Sequence, residues 1–209
     1  MRKLILKMSV SADGFVGGPN GEIEWIFKSY DAGATSWTVD TLWQAGVHIM
    51  GSRTFRDMAA YWPSSTEPFA PPMNEIPKVV FSRKGSLGEA STTKALDDAT
   101  RLREEATTSP TPADASSWTS PAIATGDLAE EIARLKQQLG KPILVHGGAS
   151  FAQSLVRHGL VDEYRLLIHP VALGRGLPLF AGLPKPLDLK LLSATSFEGG
   201  AVAHVYRPT

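Results

Sequence analysis

Residues 143–169, ILVHGGASFAQSLVRHGLVDEYRLLIH, decide the fold of this chain. Ile143–His146 form a short and nearly all-apolar run, which is typical of a strand in a parallel sheet that is covered on both faces. A double glycine, Gly147-Gly148, then leads into a stretch with helical periodicity that should end at Gly159. A second apolar run, Tyr164–His169, follows. This succession of strand, helix and strand predicts an α/β sheet.

The same alternation recurs along the rest of the chain. Further strand-like runs lie at Lys3–Val10, Val47–Met50, Lys78–Phe81 and Ala122–Ala124. Helices are expected at Arg53–Ala60, at Ala95–Ala106 and at 128–139, where Leu128, Ile132, Leu135 and Leu139 form one apolar stripe that ends at Gly140. Such a pattern indicates a mostly parallel central sheet with helices on both faces.

The C-terminal part of the chain departs from this alternation. Leu189–Phe197 and Ala201–Arg207 are strand-like and are joined only by Glu198-Gly199-Gly200, a connection so short that the two strands must be antiparallel neighbours. We therefore expect an antiparallel C-terminal hairpin on a single domain of residues 1–209. Thr107–Ser120, rich in Ser, Thr, Pro and Ala, is predicted to be a flexible surface insertion around 107–120.

Composition excludes several classes of function. The 209 residues include 21 basic and 21 acidic side chains, so the formal net charge is zero and a nucleic-acid or anionic-membrane partner is not expected. There is no cysteine, which excludes disulfides, thiolate nucleophiles and cysteine-based zinc sites. The five histidines show no metal-binding spacing. We expect a cytoplasmic protein with a small-molecule substrate and no metal, and a homodimer is compatible with the neutral charge and the hairpin edges.

Glycine and hydroxyl residues follow three of the predicted strands. They are Gly51-Ser52-Arg53-Thr54, Ser82-Arg83 and Gly147-Gly148-Ala149-Ser150. Helix starts present unpaired N–H groups that favour phosphate, and ligands of α/β sheets collect beyond the carboxyl ends of the strands. Two such turns with Arg53 and Arg83 favour an extended diphosphate ligand, and a guanidinium suits the additional phosphate of NADPH. Each turn alone could equally be ordinary turn chemistry, either arginine could be a solvated surface side chain, and neither G-x-G-x-x-G nor a P-loop is present.

A series of short motifs runs nearly from one end of the chain to the other. They are Ser11-Ala12-Asp13-Gly14-Phe15-Val16, Glu24-Trp25-Ile26, Met50-Gly51-Ser52-Arg53-Thr54-Phe55, Tyr61-Trp62-Pro63, Val80-Phe81-Ser82-Arg83, Gly147-Gly148-Ala149-Ser150, Gly159-Leu160-Val161-Asp162-Glu163-Tyr164, Pro170-Val171-Ala172-Leu173-Gly174-Arg175-Gly176 and Pro178-Leu179-Phe180. In order and spacing they resemble the dihydrofolate reductase-like superfamily and, within it, the riboflavin-biosynthesis reductase domain with its stand-alone bacterial relatives.

This resemblance implies a dihydrofolate reductase-like fold in which the three turns bind NADPH and the substrate lies over the first strand and the segment after it. The chain departs from the family where the residue before Gly147 is His146 rather than the usual Glu, which puts the riboflavin intermediate in doubt as the substrate. Asp31 and Asp40 do not match the spacing of the acid that holds the pterin in dihydrofolate reductases. The zinc deaminase half of the bifunctional riboflavin enzymes, which needs cysteine, is absent.

Three residues are candidates for contact with the substrate. Asp13, at the end of the first strand, is the candidate catalytic proton source and a substrate ligand, although an Asx-type turn at Asp13-Gly14 is the competing interpretation. Trp25 could stack on a flat heterocycle or pack under a loop, and His146 could donate to the substrate or bond its own loop. The expected function is NADPH-dependent reduction of a pteridine or ribosylaminopyrimidine, similar to 5-amino-6-(5-phosphoribosylamino)uracil reductase. The alternative is a non-catalytic nucleotide-binding or regulatory protein on the same fold.

Overall fold

The computed structural model of the protein describes residues 1–85, 87 and 116–209. The strands are β1 (Leu4–Ser11), β2 (Phe15–Gly17), β3 (Val47–Gly51), β4 (Lys78–Phe81), β5 (Ala122–Ala124), β6 (Ile143–His146), β7 (Glu163–His169), β8 (Leu177–Pro178), β9 (Leu189–Ser196) and β10 (Val202–Pro208). The α-helices are α1 (Ala32–Trp43), α2 (Ser52–Ala59), α3 (Ala70–Glu75), α4 (Ser116–Thr119), α5 (Leu128–Gln137) and α6 (Ala149–Arg157). Two 3-10 helices cover Glu24–Ser29 and Trp62–Ser64.

Eight strands form one sheet in the order β5-β4-β3-β6-β1-β7-β10-β9. The pairs from β5 to β7 are all parallel, while β10 is antiparallel to both β7 and β9. This confirms the prediction of a mostly parallel sheet that ends in an antiparallel C-terminal hairpin.

Alternating residues of the central strands build a core on each face of the sheet. Leu4, Leu6 and Val145 point to the face that α5 and α6 cover, and they pack with buried residues of both helices such as Leu155. The opposite face carries Ile5, Met50 and Leu144, which pack against α1, α2 and α3 through Leu42, Phe55 and Met73. Successive residues of a strand point to opposite faces of the sheet, so odd-numbered and even-numbered positions of one strand join different cores. Helices cover both faces, as the apolar strands predict.

The end of the fifth helix differs from the sequence prediction. The helix ends at Gln137 rather than continuing to 139, since Gln138 adopts an extended backbone. Leu139 is consequently 98% exposed, and its inclusion in the apolar stripe is wrong. The stripe made by Leu128, Ile132 and Leu135 does face the core.

The C-terminal end of the segment predicted as a flexible insertion belongs to the core. Residues 107–115 lie outside the described residues, as does the helix predicted at 95–106. Ser116–Thr119 form a helical turn in which Trp118 is fully buried. Its indole N–H donates to Asn74 Oδ1 at 2.8 Å, and Lys78 Nζ lies 4.3 Å from the centre of its ring. The surface placement of this last part is therefore wrong, because burial of the large indole outweighs the polar composition around it.

A second, two-stranded sheet holds the loop after β1. Phe15 in β2 pairs with Pro178 in β8, and this brings the turn at Asp13 against the loop at 173–174. β2 and β8, of three and two residues, were not predicted, because neither stands out as an apolar or alternating run in the sequence.

Within the described residues, the helices are too short or too polar to cross a lipid bilayer.

Candidate functional site

The three strand ends singled out in the sequence lie side by side. β4, β3 and β6 are consecutive in the sheet, and all three run parallel. Gly51 is opposite Phe81 in the register, and Ile49 is opposite Val145. The residues that follow these strands therefore meet at the same edge of the sheet, where α/β folds bind their ligands.

The turns after β3 and β6 are in close contact with each other. Gly147 and Gly148 both have positive φ, at 41° and 75°, a region that favours glycine. A Cβ placed on Gly148 would lie 2.7 Å from Thr54 Oγ1, so a side chain at this position cannot fit unless the Thr54 side chain moves. The rings of Phe81 and Phe151 are 5.0 Å apart and close the floor beneath the turns.

The helices that start at these two turns have open N-termini. Among the residues that the structure describes, no side chain bonds to the first N–H groups of α2, which begins after Gly51, or of α6, which begins after Gly148. By contrast, Asp31 caps α1 and Asp127 caps α5. The two helices have 8 and 9 residues, and each is preceded by a glycine. Their adjacent N-termini suit the phosphates of a dinucleotide, because the free N–H groups and the helix dipoles favour anions.

The side chains around these turns differ in accessibility. Arg53, Arg83 and Ser150 are exposed, as ligands to a phosphate must be. Ser82 is buried, and its backbone N–H donates to the Ala124 carbonyl. Ser82 therefore packs within the turn and does not face the surface where a ligand would bind. Ala149 and Ser52 are partly buried at the first turns of their helices.

Asp13 is fully engaged by its own neighbourhood. Its Oδ1 accepts from Ser11 Oγ at 2.6 Å and from the N–H of Leu173, and its Oδ2 accepts from the N–H of Gly174 at 2.7 Å. The Ser11 hydroxyl, followed by the Gly174 N–H, lowers the pKa of Asp13 to about 2. A carboxylate that its donors hold ionised at neutral pH is a poor proton source, so this geometry does not favour Asp13 as the catalytic acid. Asp13 instead ties the loop after β1 to the 173–174 loop.

Trp25 packs inside the protein rather than facing a ligand. It is 8% exposed, its indole N–H donates to the Glu22 carbonyl at 3.0 Å, and its ring meets His169 edge-on at 5.4 Å. Of the two interpretations, packing under a loop fits this geometry, and direct stacking on a substrate does not.

His146 is buried against a second histidine. Its ring is 4.3 Å from that of His48, and the Nε2 of His146 has no hydrogen-bond partner in the described residues. Burial, with smaller contributions from the charges of Lys7 and Lys78, lowers the pKa of His146 to about 3, so the ring is neutral at pH 7. His146 ends β6, immediately before the Gly147-Gly148 turn, and direct donation to a substrate is not supported, because the ring is nearly inaccessible.

Lys7 is a site residue that the sequence analysis overlooked. It lies on β1 opposite His146 in the register and is partly exposed. Burial, and then the charge of Lys7, lowers the pKa of both His146 and His169. In the sequence Lys7 is only the polar member of an alternating strand, and the placement of β1 between β6 and β7 is what makes it a neighbour of His146.

A row of aromatic rings lies over the same face and was also missed. Successive ring contacts join His169 to Tyr30 at 5.8 Å, Tyr30 to Phe69 at 5.9 Å and Phe69 to Trp62 at 6.3 Å. Tyr61 continues the row from Trp62 at 5.0 Å. These residues come from segments far apart in sequence, so only the fold reveals the row. The partly exposed faces of Tyr30, Trp62 and Phe69 suit a flat heterocycle.

Known proteins share this architecture. The RibD C-terminal domain family matches residues 2–203. The uncharacterized protein YyaP of Bacillus subtilis (strain 168) is 31% identical over 205 residues, which cover 98% of this chain and 94% of that protein.

Two solved structures show the same fold. The deaminase/5-amino-6-(5-phosphoribosylamino)uracil reductase of Thermotoga maritima is 19% identical, with a TM-score of 0.65 over 100% of this chain and 57% of that one. The dihydrofolate reductase of Enterococcus faecalis, complexed with NADP(H), is 11% identical, with a TM-score of 0.56 over 99% of this chain and 96% of that one. The resemblance seen in the sequence is confirmed: the chain belongs to the RibD C-terminal domain family, the family of the reductase domain of riboflavin-biosynthesis enzymes, and has a dihydrofolate reductase-like fold.

Proposed function

We propose that the protein is an NADPH-dependent reductase of a small, flat nitrogen heterocycle of the pteridine or ribosylaminopyrimidine type. The observation that supports this most directly is the convergence of the turns after β3, β4 and β6 beside two helix starts without side-chain caps. Membership of a reductase family and the NADP(H) in the Enterococcus faecalis relative point the same way.

The residues of the turns fit a pyridine dinucleotide. Backbone N–H groups of 52–54 and 149–150 would hold the diphosphate, and Gly148 leaves the approach open where a Cβ would already touch Thr54. Arg83 or Arg53, both exposed, would reach the 2′-phosphate as a charge-assisted partner. When bound, NADPH supplies a hydride to the heterocycle.

The chain's own contribution is positioning and exclusion of water. The row from His169 to Trp62 would orient the flat ring of the substrate, and the turns would orient the cofactor against it. A proton must also reach the product. Asp13 and Asp31, the acids of the adjoining loops, both accept two or more hydrogen bonds as carboxylates, so we assign the proton to solvent.

Titration with NADPH and NADH, followed by nucleotide fluorescence, tests the cofactor. Loss of NADPH absorbance on addition of pteridines, folates or ribosylaminopyrimidines then tests turnover. No binding of either nucleotide at millimolar concentration contradicts the proposal. Binding without oxidation across the panel favours the non-catalytic alternative.

A charge placed at the start of α6 makes the test specific to the site. Ser150→Asp should stabilise the uncapped helix through its dipole, by about 0.3–1 kcal/mol, yet weaken NADPH about tenfold by repelling the diphosphate. Ala129→Asp puts the same charge at the equivalent position of α5, which Asp127 already caps, and should leave NADPH binding unchanged. Equal effects of the two variants on NADPH would place the dinucleotide elsewhere.

A further inference from the structure

The row of aromatic rings extends beyond the part that one flat heterocycle would cover. Contacts of 5.0 to 6.3 Å join its rings in succession from His169 to Tyr61. A bicyclic ring that lies beside His169 and Tyr30 leaves the other end of the row available to a different part of the ligand. This outer end of the row consists of three rings and one carboxylate: Tyr61, Trp62, Phe69 and Glu67.

The rings of the outer end cross one another at steep angles instead of stacking. The planes of Tyr61 and Trp62 are inclined by 81°, and those of Trp62 and Phe69 by 76°. Tyr61 is 49% exposed, and Trp62 and Phe69 are partly exposed. Because the face of an aromatic ring is the negative part of its quadrupole, ring faces turned in different directions around one place attract a cation.

Glu67 adds a negative charge beside these rings. The Tyr61 hydroxyl donates to Glu67 Oε1, and Glu67 itself is exposed. This hydrogen bond, followed by burial and by the charge of Glu67, raises the pKa of Tyr61, so the phenol stays neutral. In the part of the chain that the structure describes, no lysine or arginine forms an ion pair with Glu67. The outer end therefore carries a negative charge that a ligand can neutralise.

The loop that carries Glu67 is held in place by its own hydrogen bonds. The Ser65 N–H donates to the Trp62 carbonyl at 3.1 Å, and the Glu67 N–H donates to Ser65 Oγ at 3.2 Å. Asn74 Nδ2 also donates to the Trp62 carbonyl at 3.0 Å, while Asn74 Oδ1 accepts from the buried indole of Trp118. The base of the loop is thus tied to the core, so little conformational entropy is lost when a ligand binds to its rings and carboxylate.

We propose that the outer end of the row is a subsite for a positively charged tail on the substrate, such as an amine or an alkylammonium group. A phosphate tail would meet the carboxylate of Glu67 and the negative faces of the rings, and both interactions are repulsive. The inference rests on the proposed function and narrows its substrate class to heterocycles with a cationic substituent at this end. It disfavours the 5′-phosphate form of a ribosylaminopyrimidine.

Three small probes of similar size test the subsite without the heterocycle. Benzylammonium is a cation at pH 7, benzyl alcohol is neutral and benzylphosphonate is an anion. NMR titration at constant ionic strength, following the indole N–H signal of Trp62 as assigned with Trp62→Phe, reports both affinity and place. We expect benzylammonium to bind about tenfold more tightly than benzyl alcohol, and benzylphosphonate to bind most weakly.

Variants of the exposed residues separate charge from packing. Glu67→Gln keeps an oxygen that can accept from Tyr61 but removes the charge, so it should lower the preference for benzylammonium to about threefold. Tyr61→Leu should remove most of what remains. Glu130→Gln is the matched control, because Glu130 is an exposed carboxylate on α5, which packs on the other face of the sheet, and it should change nothing.

The ranking of the probes decides the inference even if a variant does not fold. Equal or tighter binding of benzylphosphonate, no binding of benzylammonium, or shifts that leave the Trp62 signal unmoved would overturn it. So would a preference that Glu67→Gln and Glu130→Gln affect equally.

A turnover assay then links the subsite to the substrate. With NADPH, a ribosylaminopyrimidine nucleoside should have a lower KM than its 5′-phosphate, and Glu67→Gln should narrow the difference. A lower KM for the phosphate contradicts the subsite. Absence of NADPH oxidation with every heterocycle counts against the proposed function alone, since the probes bind or fail to bind without NADPH.

Discussion

Replacement of Gly148 by alanine should damage both stability and cofactor binding, for separable reasons. Gly148 has a φ of 75°, where an alanine costs roughly 1–2 kcal/mol. Its new Cβ would lie 2.7 Å from Thr54 Oγ1, and overpacking of this kind costs roughly a further 1–3 kcal/mol. We expect Gly148→Ala to lower the free energy of unfolding by about 2–5 kcal/mol and, through displacement of the turn, to weaken NADPH about tenfold.

Gly159→Ala at the other end of α6 supplies the control. Gly159 has a φ of 63°, but a Cβ there meets no atom within 4 Å, so the change should cost only about 1–2 kcal/mol and leave NADPH binding unaltered. Thr54→Ala in the Gly148→Ala background removes the contacting oxygen and should recover part of the loss. Urea unfolding and NADPH fluorescence give the two readouts. If Gly148→Ala is no less stable than Gly159→Ala, the packing argument is wrong; if the folded variant binds NADPH normally, the cofactor does not use this turn.

Three further predictions concern the cofactor phosphate, acid stability and the core. Arg83→Ala should weaken NADPH several-fold more than NADH, and equal losses would mean that this side chain does not contact the 2′-phosphate. His146 has a depressed pKa in the folded state, so its stabilising effect is complete above about pH 6.5 and is lost as the pH falls towards 3. In urea unfolding at several pH values, His146→Gln should therefore reduce the pH dependence of the unfolding free energy by up to about 1.4 kcal/mol per pH unit, and an unchanged pH dependence would contradict this assignment. Trp118→Ala should cost roughly 3–5 kcal/mol in urea unfolding, far more than Trp43→Ala at a half-exposed position, and similar costs would show that Trp118 is not a core residue.

Periodicity made the sheet and its helices predictable. Apolar runs such as Ile143–His146 need burial on both faces, and the Gly199-Gly200 connection leaves only an antiparallel neighbour. The turns at Gly51 and Gly147 were found for a similar reason, because strand ends of a parallel sheet share an edge. What the pattern cannot show is strand order, and it is the order β3-β6-β1-β7 that makes Lys7 a neighbour of His146.

Side-chain roles were less predictable than backbone geometry. Asp13 accepts hydrogen bonds from the Ser11 hydroxyl and from the N–H groups of the 173–174 loop, and Trp25 is buried against His169. These outcomes depend on loops that come together only in the folded chain. Trp118 was misjudged for a related reason, since its partner Asn74 lies far away in the sequence.

The central position of β1 has a consequence for biosynthesis. Leu4 pairs with Ile143, and Ile5 pairs with Glu163, so β1 has no partner until the chain has been synthesised as far as β6 and β7. At ordinary elongation rates this apolar strand therefore waits on the order of ten seconds with both edges unsatisfied. The centre of the sheet can assemble only after that delay, and β1 is the segment on which a chaperone would act in the meantime.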